Sequence, residues 1–243
     1  MTSSLRKEMK SKRRQKRMQE RRNAILLMVG GILLITALFV VPPLLEKSKP
    51  VGEIKPISTV VRPMAKGTAA GDPNAKVRID VFVDFQCPAC MNYTQTVEKQ
   101  VMDNYVASSK VYYVVRQFPF IDDNSATKES TQAANAAMCA AEQERFWDYH
   151  DMLFTNWNGE NAGNFTDRRL TAFAEALKLD MNAFNTCFKE DRYQTQIQQD
   201  KSEGKAMGVN GTPSVFVNGK IVAPGYVPTY EQISQAVDAI LNK

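Results

Sequence analysis

Apolar and polar positions follow three different rhythms along this chain. From Asn23 to Leu45 no residue is charged, and Ile25 to Val41 is almost wholly apolar, long enough for the roughly 20 residues of a membrane-crossing helix. From Val77 to Phe85 apolar positions recur in twos among β-branched and aromatic residues, which predicts a strand, and Lys110 to Phe120 predicts a second. Elsewhere the spacing is helical. Met91 to Tyr105 predicts an amphipathic helix, and from about Ser125 an Ala-rich run leads into an aromatic helix ending near Trp157. Asp167 opens a helix with Leu170, Phe173, Ala174 and Leu177 on one face, and Asp180 caps a short one bearing Phe184, Cys187 and Phe188. A further helix runs from about Arg192 to Met207, where Gly208 suits the C-cap. The chain then returns to strand at Ser214 to Val217, turns at Asn218-Gly219 into Lys220-Ile221-Val222, and closes with a helix from about Thr229 to Leu241.

Charge sharpens the reading of the N-terminus. Residues 1–22 hold ten Lys or Arg and two acidic residues, a net of +8 in a chain of +5, which leaves −3 for the rest. A basic head can serve nucleic acid, but no basic motif elsewhere supports a nucleic-acid partner. Directly before an apolar span it reads as a positive-inside signal that keeps the N-terminus in the cytoplasm. A cleaved signal peptide is the alternative for residues 23–45. Its apolar region usually runs to about 7–15 residues and ends at small residues, whereas this one is longer and meets Pro42-Pro43-Leu44-Leu45. We therefore expect a retained single-pass membrane helix over 23–45, with everything beyond it extracytoplasmic.

Residues 46–72 carry Pro50, Pro56 and Pro63 with Gly52, Gly67 and Gly71, and read as a linker with a short strand near Ser58 to Val61. Some 25 extended residues would reach at most ~90 Å. Residues 73–243 are long enough for one well-cored domain with an insertion, and show no internal repeat.

The chemistry is concentrated where the first strand meets the first soluble helix. Cys87-Pro88-Ala89-Cys90 places Cys87 at the N-cap and Pro88 at the first helical position, where its missing N–H costs nothing. Unpaired helix N–H groups and the helix dipole then favour a thiolate at Cys87, the form that attacks disulfides, and Cys87 is expected to be the solvent-exposed thiol of the pair, with Cys90 as the buried resolving partner one turn in. A zinc site would need about four ligands. The other cysteines, Cys139 and Cys187, and the single histidine, His150, stand far from that spacing, so no metal is expected. At helical spacing Phe146, Trp147, Tyr149, Leu153 and Phe154 read as core rather than a ligand pocket, and His150 as a surface or partly buried residue.

Together, Phe82-Val83-Asp84-Phe85-Gln86-Cys87-Pro88-Ala89-Cys90 and, far downstream, Gly208-Val209-Asn210-Gly211-Thr212-Pro213-Ser214-Val215-Phe216-Val217-Asn218-Gly219 resemble the DsbA-like branch of the thioredoxin superfamily. Met138 to Ala141 and Phe146 to Phe154 look like that family's helical insertion, and the resemblance covers about residues 67 to 242. It implies an α/β thioredoxin fold with a helical domain inserted at about 124–207, and a redox-active disulfide between Cys87 and Cys90 that needs no organic cofactor. It also implies a cis bond before Pro213, which, with Thr212, Pro88 and Ala89, borders a substrate groove. Asp84 matches an acidic position of the family's strand, and two readings stand side by side: modulation of proton transfer, or capping of the active-site turn. Ala89 departs from the strongly oxidising members, which carry histidine there.

The expected activity is extracytoplasmic oxidation of cysteines in exported proteins, with reoxidation by a membrane protein that the resemblance suggests is quinone-linked. A reductase or isomerase of the same fold is the alternative, as is a non-catalytic module for peptides or metal delivery. Oxidising compartments let disulfides persist, and every cysteine lies beyond the apolar span. Cys139 and Cys187, on the apolar sides of their helices, are therefore expected to pair, two buried free thiols being the alternative.

Overall fold

The computed structural model describes residues 3–48, 51–58 and 60–243, and the chain divides into two units, Met1–Pro50 and Val51–Lys243. The first holds a single helix, α1 (Ser3–Ser48). Within it Lys12–Val41 is long and apolar enough to cross a membrane, and large side chains from Ile25 to Val41 stand exposed all along it. Such a surface is stable in hydrocarbon rather than in water.

The second unit is built on a five-stranded mixed sheet ordered β1-β3-β2-β4-β5, comprising β1 (Ala69–Ala70), β2 (Val77–Val83), β3 (Val111–Gln117), β4 (Ser214–Val217) and β5 (Lys220–Ile221). The period-two pattern of β2 has a direct outcome. Val77, Ile79, Val81 and Val83 enter the main core, while Phe82 on the opposite face joins Phe118, Val209 and Phe216 in a smaller cluster. β2 runs parallel to β3 and antiparallel to β4. Parallel neighbours need a crossover, supplied by one helical run, α2 (Pro88–Tyr93) and α3 (Lys99–Val101), with π turns at Thr94–Glu98 and Met102–Val106. The run begins three residues before the Met91 expected from apolar spacing, because Cys87 and Pro88 start it. Asn218 and Gly219 both take positive φ, as a tight hairpin turn demands.

Between β3 and β4 the chain makes the helices of the insertion: α4 (Glu129–Ala141), α5 (Phe146–Thr155), α6 (Asp167–Ala176), α7 (Met181–Lys189) and α8 (Gln194–Ala206). α4 is central, and its buried Ala133, Ala134, Ala136, Ala137 and Ala140 let neighbouring helices approach closely. A disulfide joins Cys139 on α4 to Cys187 on α7, with Cα atoms 5.8 Å apart. Asp180 accepts from the N–H groups of Asn182 and Ala183 at the start of α7. α9 (Tyr230–Leu241) opens with a capping box between Thr229 and Gln232.

Two expectations are corrected here. Residues 51–72, read as linker, belong to the folded unit: Ile54 and Ile57 pack on the core, and the Asn156 amide brackets the backbone of Lys55, accepting from its N–H and donating to its carbonyl. Arg62 is buried. Its guanidinium donates to Asp151 at 2.8 and 2.7 Å and to Glu98 at 3.2 Å, beneath the ring of Trp147. No strand forms near Ser58 to Val61 among the described residues, and Thr59 lies outside them; β1 comes later. The second correction concerns His150, which is fully buried. Its Nδ1 lies 3.0 Å from Asp151, and Phe85, Phe146, Trp147 and Phe154 surround its ring.

Candidate active site

Phe85 and Gln86 carry the chain from β2 into a turn closed by Cys87 N–H donating to the Asp84 carbonyl at 3.0 Å. Cys87 is the N-cap, in extended conformation, and Pro88 follows at the first helical position. Its carbonyl accepts from Met91 N–H. Pro88 is exposed, Ala89 half-buried and Cys90 fully buried. Facing this turn is the loop before β4, where the Thr212-Pro213 bond is cis. The two loops meet: Cys87 Sγ donates to the Thr212 carbonyl at 3.3 Å.

That contact corrects one expectation. Cys87 was expected to be the solvent-exposed thiol of the pair, yet it is only 5% exposed, with the Thr212 carbonyl against its sulfur. Its reactivity must come from electrostatics within the fold rather than from free access. The two thiols differ sharply in that respect. The Cys90 thiol above all, and then the backbone N–H groups of Cys90 and Ala89, lower the Cys87 pKa to about 6 against the opposing effect of burial. Burial, and then the neighbouring Cys87 sulfur, push Cys90 well above the ordinary thiol range. One sulfur is disposed to carry charge and the other to hold its proton.

Asp84 is buried with both carboxylate oxygens occupied. Oδ1 accepts from Ser130 Oγ at 2.6 Å and Gln86 N–H at 2.9 Å, and Oδ2 from Ile121 N–H at 3.0 Å. Burial raises its pKa to about 6. These bonds brace the turn and link it to the start of α4, the geometry of a cap.

Sequence reasoning passed over Gln86, Ser130, Trp157 and Asn161. The Gln86 side chain donates to Ser130 Oγ and accepts from Asn161 N–H, while its carbonyl accepts from Trp157 Nε1. The partners stand 44 to 75 residues away, so no local spacing reveals them. Among the described residues no His, Cys, Asp or Glu group has metal-binding geometry; Glu98 and Asp151 hold Arg62 instead.

A Cys-x-x-Cys pair at a helix start, facing a cis-proline loop at the centre of a mixed sheet, defines a thioredoxin-type protein with a helical insertion. Residues 64–239 match the model of the thioredoxin family, and the chain belongs to that family, in its DsbA-like branch. Its relatives include "Probable disulfide bond formation protein D" of Bacillus anthracis, 26% identical over 175 residues that cover 71% of this chain and 77% of that protein. Oxidised BdbD from Bacillus subtilis shares the fold with a TM-score of 0.64 at 19% identity, covering 78% of this chain and all of that one. Wolbachia pipientis alpha-DsbA1 does so with a TM-score of 0.61 at 22% identity, over 75% and 94% of the two chains.

Proposed function

We propose that this protein is a membrane-anchored thiol-disulfide oxidoreductase that introduces disulfides into exported proteins through Cys87 and Cys90. The observation that carries the reading is the placement of the two sulfurs: Cys87 caps the start of α2 against the cis Thr212-Pro213 loop, and Cys90 lies fully buried one turn in, a setting that favours a thiolate at the first and disfavours it at the second. In the oxidising direction a substrate thiolate attacks the Cys87 sulfur of the disulfide. A substrate–Cys87 bond forms, the Cys87–Cys90 bond breaks, and Cys90 leaves with the electron pair and takes up a proton. A second substrate thiolate then attacks the substrate sulfur, and Cys87 leaves as its favoured thiolate. The substrate is oxidised by two electrons and the enzyme reduced by two. A stabilised Cys87 thiolate makes this release favourable, which is what makes such a disulfide oxidising.

Pro213 and Thr212 border the groove that receives the substrate strand, with Pro88 and Ala89 opposite. The basic residues 1–22 hold the N-terminus in the cytoplasm, placing Val51–Lys243 outside, where a membrane protein of the quinone-linked kind reoxidises it. The redox equilibrium of the full-length protein with glutathione tests the direction. With no side-chain donor at Ala89, a potential between the strong-oxidant and thioredoxin extremes of roughly −120 and −270 mV, in the oxidising half, is expected. A value near that of thioredoxin, with rapid reduction of protein disulfides, makes it a reductase, and full activity of Cys87→Ser leaves only a binding module.

A further inference from the structure

The motif residue Ala89 brings no side-chain donor to the reactive turn, so any help beyond the Cys90 thiol and the helix N–H groups must come from elsewhere in the fold. The peptide bond between Gln86 and Cys87 receives such help. Its carbonyl oxygen accepts the indole N–H of Trp157 at 2.6 Å, a short bond in a partly buried setting. The Gln86 side chain is held on both sides as well: Oε1 accepts from Asn161 N–H at 2.6 Å, and Nε2 donates to Ser130 Oγ, which in turn donates to Asp84.

The loop that supplies Trp157 and Asn161 is itself fixed to the start of α4. Glu129 accepts from Gly163 N–H at 3.0 Å and Phe165 N–H at 2.8 Å, and Asn161 Oδ1 accepts from the Ser125 and Thr127 hydroxyls at 2.7 Å each. A rigid loop of the insertion therefore grips the residue immediately before the reactive cysteine. Without the indole N–H, the Gln86 carbonyl would be an acceptor without a partner in a fully buried residue, a costly condition. Turning the Gln86–Cys87 peptide toward another donor would relieve it. That rotation shifts Cys87 relative to the N–H groups of Ala89 and Cys90 and leaves a carbonyl dipole less compensated beside the sulfur.

We propose that Trp157 is a positioning residue of the redox pair, its indole N–H fixing the Gln86–Cys87 peptide plane so that the helix start favours the Cys87 thiolate. The helical insertion thus tunes the chemistry of the thioredoxin core through one side chain. This rests on the oxidoreductase reading above.

The test uses the reduced full-length protein in detergent micelles, with Trp157→Phe and, separately, with 3-benzothienylalanine at position 157, which keeps the shape of the indole and lacks its N–H. The rate of iodoacetamide alkylation at Cys87 is followed against pH, and the equilibrium with glutathione is measured on the same samples. In both variants the thiolate fraction below the midpoint should fall about three- to tenfold, the span of one hydrogen bond, and the oxidising equilibrium constant in proportion. Should the phenylalanine variant fold poorly, the benzothienyl protein decides. If that protein titrates like the wild type, Trp157 only packs and the inference is overturned, while the acidic wild-type Cys87 leaves the oxidoreductase reading in place. A wild-type Cys87 that titrates as an ordinary thiol would overturn both.

Discussion

The Cys87 thiolate should make the reduced protein's stability depend on pH in a predictable window. Its pKa falls from the ordinary 9.0 to about 6 on folding, so the folded state holds the charged form more tightly than the unfolded one. A depressed pKa contributes stability that is full above the unfolded value and disappears as pH falls through the folded value. With about 1.36 kcal/mol per unit, the contribution is close to zero at pH 5, about 1 kcal/mol at pH 7 and about 3 kcal/mol at pH 8. Cys90, shifted upward, stays a thiol throughout. Asp84 works in the opposite sense: its raised pKa contributes stability below about pH 4 that is lost as pH rises through about 6. Comparison with Cys87→Ala at each pH cancels the Asp84 part. The assay is urea unfolding of the fully reduced chain in detergent, read by tryptophan fluorescence, since Trp147 and Trp157 both lie in the unit Val51–Lys243. The wild type should gain about 3 kcal/mol on the variant between pH 5 and pH 8. A difference that does not change with pH would refute the electrostatic account of the site.

Two further outcomes follow from packing and chain connectivity. Opening the Cys139–Cys187 bridge by a double substitution to alanine frees a loop spanning 48 residues, which the chain-entropy relation puts at about 4 kcal/mol, measurable as a lower urea midpoint of the oxidised protein. Gly204→Ala on α8 should destabilise: the added Cβ would stand 2.9 Å from ring atoms of Phe118 and Phe82. Overpacking of about 1–3 kcal/mol then exceeds the roughly 1 kcal/mol that alanine gains in a helix, and a rise in the thermal midpoint would contradict this.

What the sequence disclosed and what it hid divide along one physical line. Cys87, Pro88 and Cys90 were legible because capping chemistry is local, and β2 and the Asn218-Gly219 hairpin because pleat and turn impose their pattern within a few residues. Gln86, Trp157 and Arg62 were not. Each works through partners 36 to 89 residues away, and Arg62 sits among prolines and glycines whose composition alone suggests a free tether. His150 looked ordinary for a different reason: Phe146, Trp147, Asp151 and Phe154 come from its own helix, where their spacing is local, and Phe85, just beyond the end of β2, completes the cage that buries it.

Arg62 also bears on where this protein can be cut. The family match begins at residue 64, and a gene fragment designed from homology would start there. Glu98 and Asp151, whose side chains are 1% and 11% exposed, would then lose the guanidinium that sits between them. Removing one side of a buried ion pair typically costs about 3–5 kcal/mol, a large part of the stability of a domain. The boundary that evolution shows by similarity and the boundary that charge neutrality requires are different, and a soluble version of the enzyme has to respect the second.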